Sequence, residues 1–167
     1  MVFVGYGALW LSVRGQHPYQ GPSGAAIAVV YTAVIVVIAV SVQVVRGATA
    51  GVSGRSQQQM GAEGIAVAAA FIATGVFQGA LQHDGASHAI VYGVFPAAAP
   101  LLVVGATLAG SAATRADWPI FGLALAVVSV GVGASFAGPA GAWAVAGTGL
   151  FIAVLGHAAA NAWLHRA

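Results

Sequence analysis

Five arginines and three acidic side chains are the entire charge of this 167-residue chain. A domain folded in water draws roughly a quarter of its residues from Asp, Glu, Lys and Arg, because its surface must be polar. So few charges cannot coat a globule. Disorder is excluded as well, since disordered chains are poor in apolar residues and 60% of this one is hydrophobic. The solvent that fits is a bilayer, where every backbone polar group must be satisfied internally by helices or by a closed barrel. Barrel strands are short, about 9–11 residues, and alternate in polarity. The apolar runs here are about twice that length and do not alternate, so the expected class is all-α.

A helix needs about 20 apolar residues to cross about 30 Å of hydrocarbon. The chain holds about six such runs, at residues 1–13, 25–45, 62–82, 89–112, 118–137 and 142–164. They predict one polytopic transmembrane bundle over 1–167, with no separate soluble domain. The first run is short, ends at Arg14, and is either a true span or a tilted one. His83-Asp84-Gly85 closes the third run and Gly138-Pro139 the fifth. Glu63 falls at the start of the third run, where an acid suits a helix N-terminus. The longest connection, 46–61, is rich in Gly, Ser and Gln and reads as a flexible link. Arg46, Arg55, Arg115 and Arg166 fall on one side of this topology and Arg14 on the other. The excess of positive charge in cytoplasmic segments then predicts an integral protein of the cell (inner) membrane with both termini cytoplasmic. Trp10 and Trp143 sit near one boundary, and Trp118 and Trp163 near the other.

Absences restrict the chemistry. Without cysteine there is no disulfide, thiolate metal site or thioether-linked haem. Without lysine there is no Schiff base. No basic cluster suggests a nucleic acid partner. The expectation is a non-enzyme with no cofactor.

Two polar stripes interrupt the apolar runs. Thr74, Gln78 and Gln82 recur every fourth residue, as do His157 and Asn161 behind Gly149 and Ala153. Each stripe lies on one helix face, and its groups must find partners inside the membrane. Either the stripes line a solute path or they bond helices together. Gln offers both donor and acceptor, which suits a neutral solute such as an amide. Pro96 and Pro100 should kink the fourth helix, so that Tyr92 and Phe95 shape either a constriction or a packing bend. His17, His83, Asp84 and His88 gather at the predicted outer side, as a pH sensor, a metal site or simply solvated loop residues. Small residues at Ser129, Gly133 and Ala137, and at Gly156 and Ala160, allow close helix approach and suggest a homo-oligomer.

Val4-Gly5-Tyr6-Gly7-Ala8-Leu9, Gly21-Pro22-Ser23-Gly24-Ala25-Ala26, Asp84-Gly85 ahead of Tyr92-Gly93-Val94-Phe95, and Asp117-Trp118 together resemble the urea and short-chain-amide channel family (AmiS/UreI type). The resemblance implies a six-span channel without a cofactor. This chain departs from that family in carrying no acid on its fifth and sixth spans, and its Arg-derived orientation is opposite to that of the proton-gated members. The run Tyr6-Gly7-Ala8-Leu9-Trp10-Leu11-Ser12 is also similar to a segment of the acetate/succinate channel family. The expected function is a channel or transporter-like protein for a small, neutral, polar solute. Two alternatives stand beside it: a non-catalytic membrane subunit docking a partner membrane protein, and a redox or metal-binding subunit using the outer histidines.

Overall fold

The computed structural model describes residues 2–33 and 54–164. The described chain is helical between short turns. Its elements are α1 (Val2–Val13), α2 (Gly24–Ala33), α3 (Gly54–His83), α4 (Phe95–Arg115), α5 (Trp118–Phe136) and α6 (Gly138–Leu164). A π-helical turn, Ile90–Val94, leads directly into α4. Three stretches, Ile90–Arg115, Trp118–Phe136 and Gly138–Trp163, are each long and apolar enough to cross a membrane. α1 and α2 are shorter apolar helices. The rest of the expected second span, the first part of the 46–61 link, Arg46 and Arg166 lie outside the described residues.

Two boundaries differ from the sequence reading. The link expected as flexible coil is helical from Gly54 onward, because Arg55, Gln57, Gln58, Gln59 and Met60 are good helix formers whatever their polarity. Glu63 therefore lies well inside α3 and not at its N-terminus. Gly138-Pro139 opens α6 instead of closing α5. Gly138 takes the positive φ of +74° needed at the sharp reversal, and Pro is tolerated in a first turn where no N–H is required.

The helix ends are closed by backbone bonds. After α3, Ala86 N–H donates to Leu81 O at 2.9 Å and Gly85 N–H to Gln82 O at 3.2 Å. α4 ends the same way, with Asp117 N–H on Ala112 O at 2.9 Å and Ala116 N–H on Ala113 O at 3.2 Å. This Schellman arrangement needs a left-handed residue, here Ala116 at φ 55°. Asp117 then caps α5, its carboxylate accepting the Ile120 N–H at 3.2 Å.

Close backbone approach builds the bundle. A Cβ on Gly105 would stand 2.6 Å from Val128 Cγ2, and one on Gly131 would stand 2.9 Å from Leu102 Cδ2. These two glycines seat α4 on α5. Gly149 fits α6 against Val130 of α5 in the same way. α1 packs on α6 through Tyr6 and Trp143, whose ring centroids are 5.8 Å apart. The core, including Tyr6, Leu9, Val13, Ala97, Leu101, Val127, Trp143 and Leu150, therefore lies between α1, α4, α5 and α6. It favours the end of the bundle that carries loops 14–23 and 84–87, called here the loop-rich end. Beyond Leu150, no described residue of α6 is buried. None of the described residues of α3 is buried either.

Candidate functional site

The two prolines at the start of α4 organise a polar part of the molecule. Pro96 has no N–H, so position 96 can supply no hydrogen bond to the carbonyl four residues back, Tyr92, or five back, Val91. Pro100 likewise leaves the Pro96 carbonyl without its helical donor. An orphaned carbonyl in an apolar interior carries a substantial desolvation penalty. Three side chains from three other elements supply the missing donors. Gln78 of α3 donates its Nε2–H to Val91 O at 2.8 Å. The Tyr19 hydroxyl, from the loop before α2, lies 3.4 Å from Tyr92 O and 3.3 Å from Pro139 O. The Tyr31 hydroxyl of α2 donates to Pro96 O. The π turn fits this pattern, since Phe95 N–H reaches Ile90 O and skips Val91.

Two cavities flank this segment. The first, about 560 Å³, opens at the loop-rich end between the 14–24 segment and His88 and Tyr92. Its polar wall includes Ser12, Gln16, Gln20 and Ser23. Gln16 holds that wall in shape. Its Nε2 donates to Ser12 O at 3.0 Å, and its Oε1 accepts the Gln20 and Gly21 N–H groups, each at 3.1 Å. Gly21 lies against Tyr92, leaving no room for a Cβ, which would stand 2.6 Å from Tyr92 Cβ. The second cavity, about 270 Å³, lies deeper and is mostly apolar, lined by Ile27, Phe71, Phe95, Pro96 and Pro100. Thr74, Gln78 and Tyr31 are its polar members. Thr74 spends its hydroxyl on Phe71 O at 2.8 Å.

Thr74 and Gln78 thus line the deeper cavity, while Gln82 lines neither and is bonded to the hydroxyl of Tyr92, a residue of the first cavity's wall. Phe95 stacks on Phe77 at 5.5 Å between centroids. The other stripe is elsewhere. His157 and Asn161 line a separate groove of about 570 Å³ between α5 and α6 at the far end. They pair with each other, Asn161 Nδ2 standing 3.0 Å from His157 Nε2. The two stripes therefore do not form one path.

No family model, curated protein or solved structure matches this chain. The site is read on its own geometry.

The outer histidines stay apart. His17, His83, Asp84 and His88 are all exposed. His88 rests its ring on Tyr92 at 5.1 Å. Among the described residues no three His, Asp or Glu side chains gather closely enough to hold a metal ion. The small residues Ser129, Gly133, Ala137, Gly156 and Ala160 are all exposed, so the close helix contacts within the subunit use other glycines.

Tyr19, Tyr31, Gln16 and Gln20 were not singled out from the sequence. Prolines at 96 and 100 were the signal for the tyrosines, since each demands an outside donor. Burial raises the Tyr19 pKa above the ordinary phenol value, and the Trp143 indole acts in the opposite direction. That indole nitrogen is fully buried and has no hydrogen-bond partner among the described residues.

Proposed function

We infer that this chain spans the cell membrane as a six-helix bundle and passes a small, neutral, polar solute along the side formed by α2, α3 and α4. The observation that carries the reading is the succession of the two cavities. Moving down α2 from Gly24 and Ala26 to Ile27 and Tyr31 goes in step with moving from His88 and Tyr92, before α4, to Phe95, Pro96 and Pro100 within it. The polar cavity at the loop-rich end is the mouth, and the apolar one is the desolvating section. The linings contain hydroxyls, amides and one imidazole but no carboxylate and no Arg, which favours a neutral solute over an ion. The resemblance to urea and amide channels points the same way. Both termini then face the cytoplasm, and the unspent small-residue faces of α5 and α6 support a homo-oligomer.

A partner-docking subunit is the second reading. It is favoured by α3, where Ile72 is 68% and Val76 69% exposed.

Flux into proteoliposomes tests the path. Gly75 lines the deeper cavity, and a Cβ there meets nothing within 4 Å, so Gly75→Leu can enter the cavity and narrow it. The expected result is loss of acetamide flux in a protein that still inserts and melts normally. Undiminished flux in that variant, or none in the wild type, overturns the path.

A further inference from the structure

The deeper cavity beside α4 has a polarity of its own. We propose that it selects solutes by their hydrogen-bond donors: a neutral molecule with two or more N–H or O–H groups passes, and one of equal size that only accepts is held back. This rests on the solute path proposed above and names what that path prefers.

Tyr31, Thr74 and Gln78 are the polar side chains of the described lining. Each already directs a hydrogen at a backbone carbonyl. The Tyr31 hydroxyl donates to Pro96 O. The Thr74 hydroxyl donates to Phe71 O and the Gln78 Nε2–H to Val91 O, both at 2.8 Å. A hydroxyl has one hydrogen to give and two lone pairs to offer, so Tyr31 and Thr74 are left as acceptors only. The bond to a carbonyl also fixes which end of the Gln78 amide is the nitrogen. Its Oε1 has no partner among the described residues. The one side-chain hydrogen that remains for a solute is the second N–H of Gln78. A solute therefore meets three acceptor oxygens and one donor.

The prolines cause this bias. The carbonyls freed by Pro96 and Pro100 draw the hydrogens of Gln78 and Tyr31 toward the backbone, and lone pairs are left as the polar surface of the cavity. The rest of the lining, with Ile27, Phe71 and Phe95, is apolar and does not replace lost hydration. A solute bearing donors regains there the hydrogen bonds it gave up on leaving water. An acceptor-only solute displaces water from the cavity oxygens and leaves them unpaired. The mouth draws no such distinction. Ser23 Oγ accepts the Ala26 N–H at 3.2 Å, and the Tyr92 hydroxyl accepts from Gln82. Their hydroxyl hydrogens remain for a solute carbonyl, which every amide carries.

Three amides of one molecular formula test this: propionamide with two N–H groups, N-methylacetamide with one, and N,N-dimethylformamide with none. Flux into proteoliposomes is measured above that into protein-free vesicles. It should fall in that order, by about threefold to tenfold for each N–H removed. A bare bilayer ranks the three the opposite way, because each N–H must shed water to enter hydrocarbon, so leakage does not imitate the result. Thr74→Val has nearly the shape of the wild type and leaves the backbone bonds of α3 in place. It should lower the ratio of propionamide to N,N-dimethylformamide flux by about threefold or more, while Thr74→Ser keeps that ratio. Equal or reversed protein-mediated flux of the isomers overturns the proposal, and so does a wild-type ratio in Thr74→Val. Acetamide run in parallel separates the two claims. Acetamide flux without discrimination among the isomers defeats only the donor rule, whereas no acetamide flux defeats the path and the rule with it.

Discussion

If Gln78 is the substitute donor for a carbonyl that Pro96 abandons, Pro96→Ala should rescue its loss. Gln78→Leu removes the 2.8 Å bond to Val91 O and leaves that carbonyl facing apolar neighbours. An unsatisfied buried acceptor costs about 1–3 kcal/mol. Hydrogen bonds between membrane helices average about 0.6 kcal/mol and reach about 1.7 in measured cycles, so the lower half of that range is expected. Pro96→Ala alone loses packing at a fully buried position and gains a backbone N–H. In the double variant the new N–H reaches Val91 O or Tyr92 O, and the loss of the Gln78 amide no longer strands an acceptor. The double-mutant cycle should therefore show a favourable coupling of about 0.6–1.7 kcal/mol. Unfolding midpoints in mixed micelles supply the four values. Strict additivity, or a double variant worse than the sum, refutes the idea that Gln78 caps a proline-freed carbonyl.

Other substitutions probe the helix contacts and turns. Gly105→Ala drives a Cβ to within 3.0 Å of Val128 N and 3.1 Å of Ala124 O, backbone atoms that cannot step aside, and should destabilise by about 1–3 kcal/mol. Gly110→Ala, with nothing within 4 Å, should instead gain about 0.5–1 kcal/mol of helix stability in the same melting assay. Ala116→Gly relieves a left-handed alanine and should raise the melting midpoint slightly, by less than about 1 kcal/mol. Tyr19 holds its proton more tightly folded than unfolded. Its contribution to stability is thus complete below the unfolded phenol value of about 10 and is lost as pH rises through the folded value. Tyr19→Phe should flatten that alkaline fall in a pH series of melts.

Apolar run length made α4, α5 and α6 legible, because bilayer crossing is a demand on composition. It misjudged α3, whose first turns are polar: hydropathy reports where a helix meets lipid and is silent on where it starts. The missing backbone donor at Pro96 and the polar stripe at Gln78 were also legible, each on its own element. Their connection was not, since the acceptor is the Val91 backbone carbonyl, which every residue carries and no side chain advertises. Tyr19 is one loop residue among several in the sequence, and only the Tyr92 carbonyl orphaned by Pro96 gives it a task. The two polar stripes looked alike in spacing, but spacing fixes a face on one helix and says nothing about which neighbour that face meets.

The turn between α4 and α5 has a consequence for how the chain tolerates change in length. Asp117 gives its N–H to finish one helix and its carboxylate to start the next, so no spare residue separates them. An insertion of a single residue there cannot bulge outward harmlessly. It rotates α5 by about 100° relative to α4, because a helix turns once in about 3.6 residues. That rotation carries Gly131 away from Leu102 and turns a bulkier side chain into the seam. The two helices are in this sense a hairpin of fixed gearing, free to drift in sequence but not in phase.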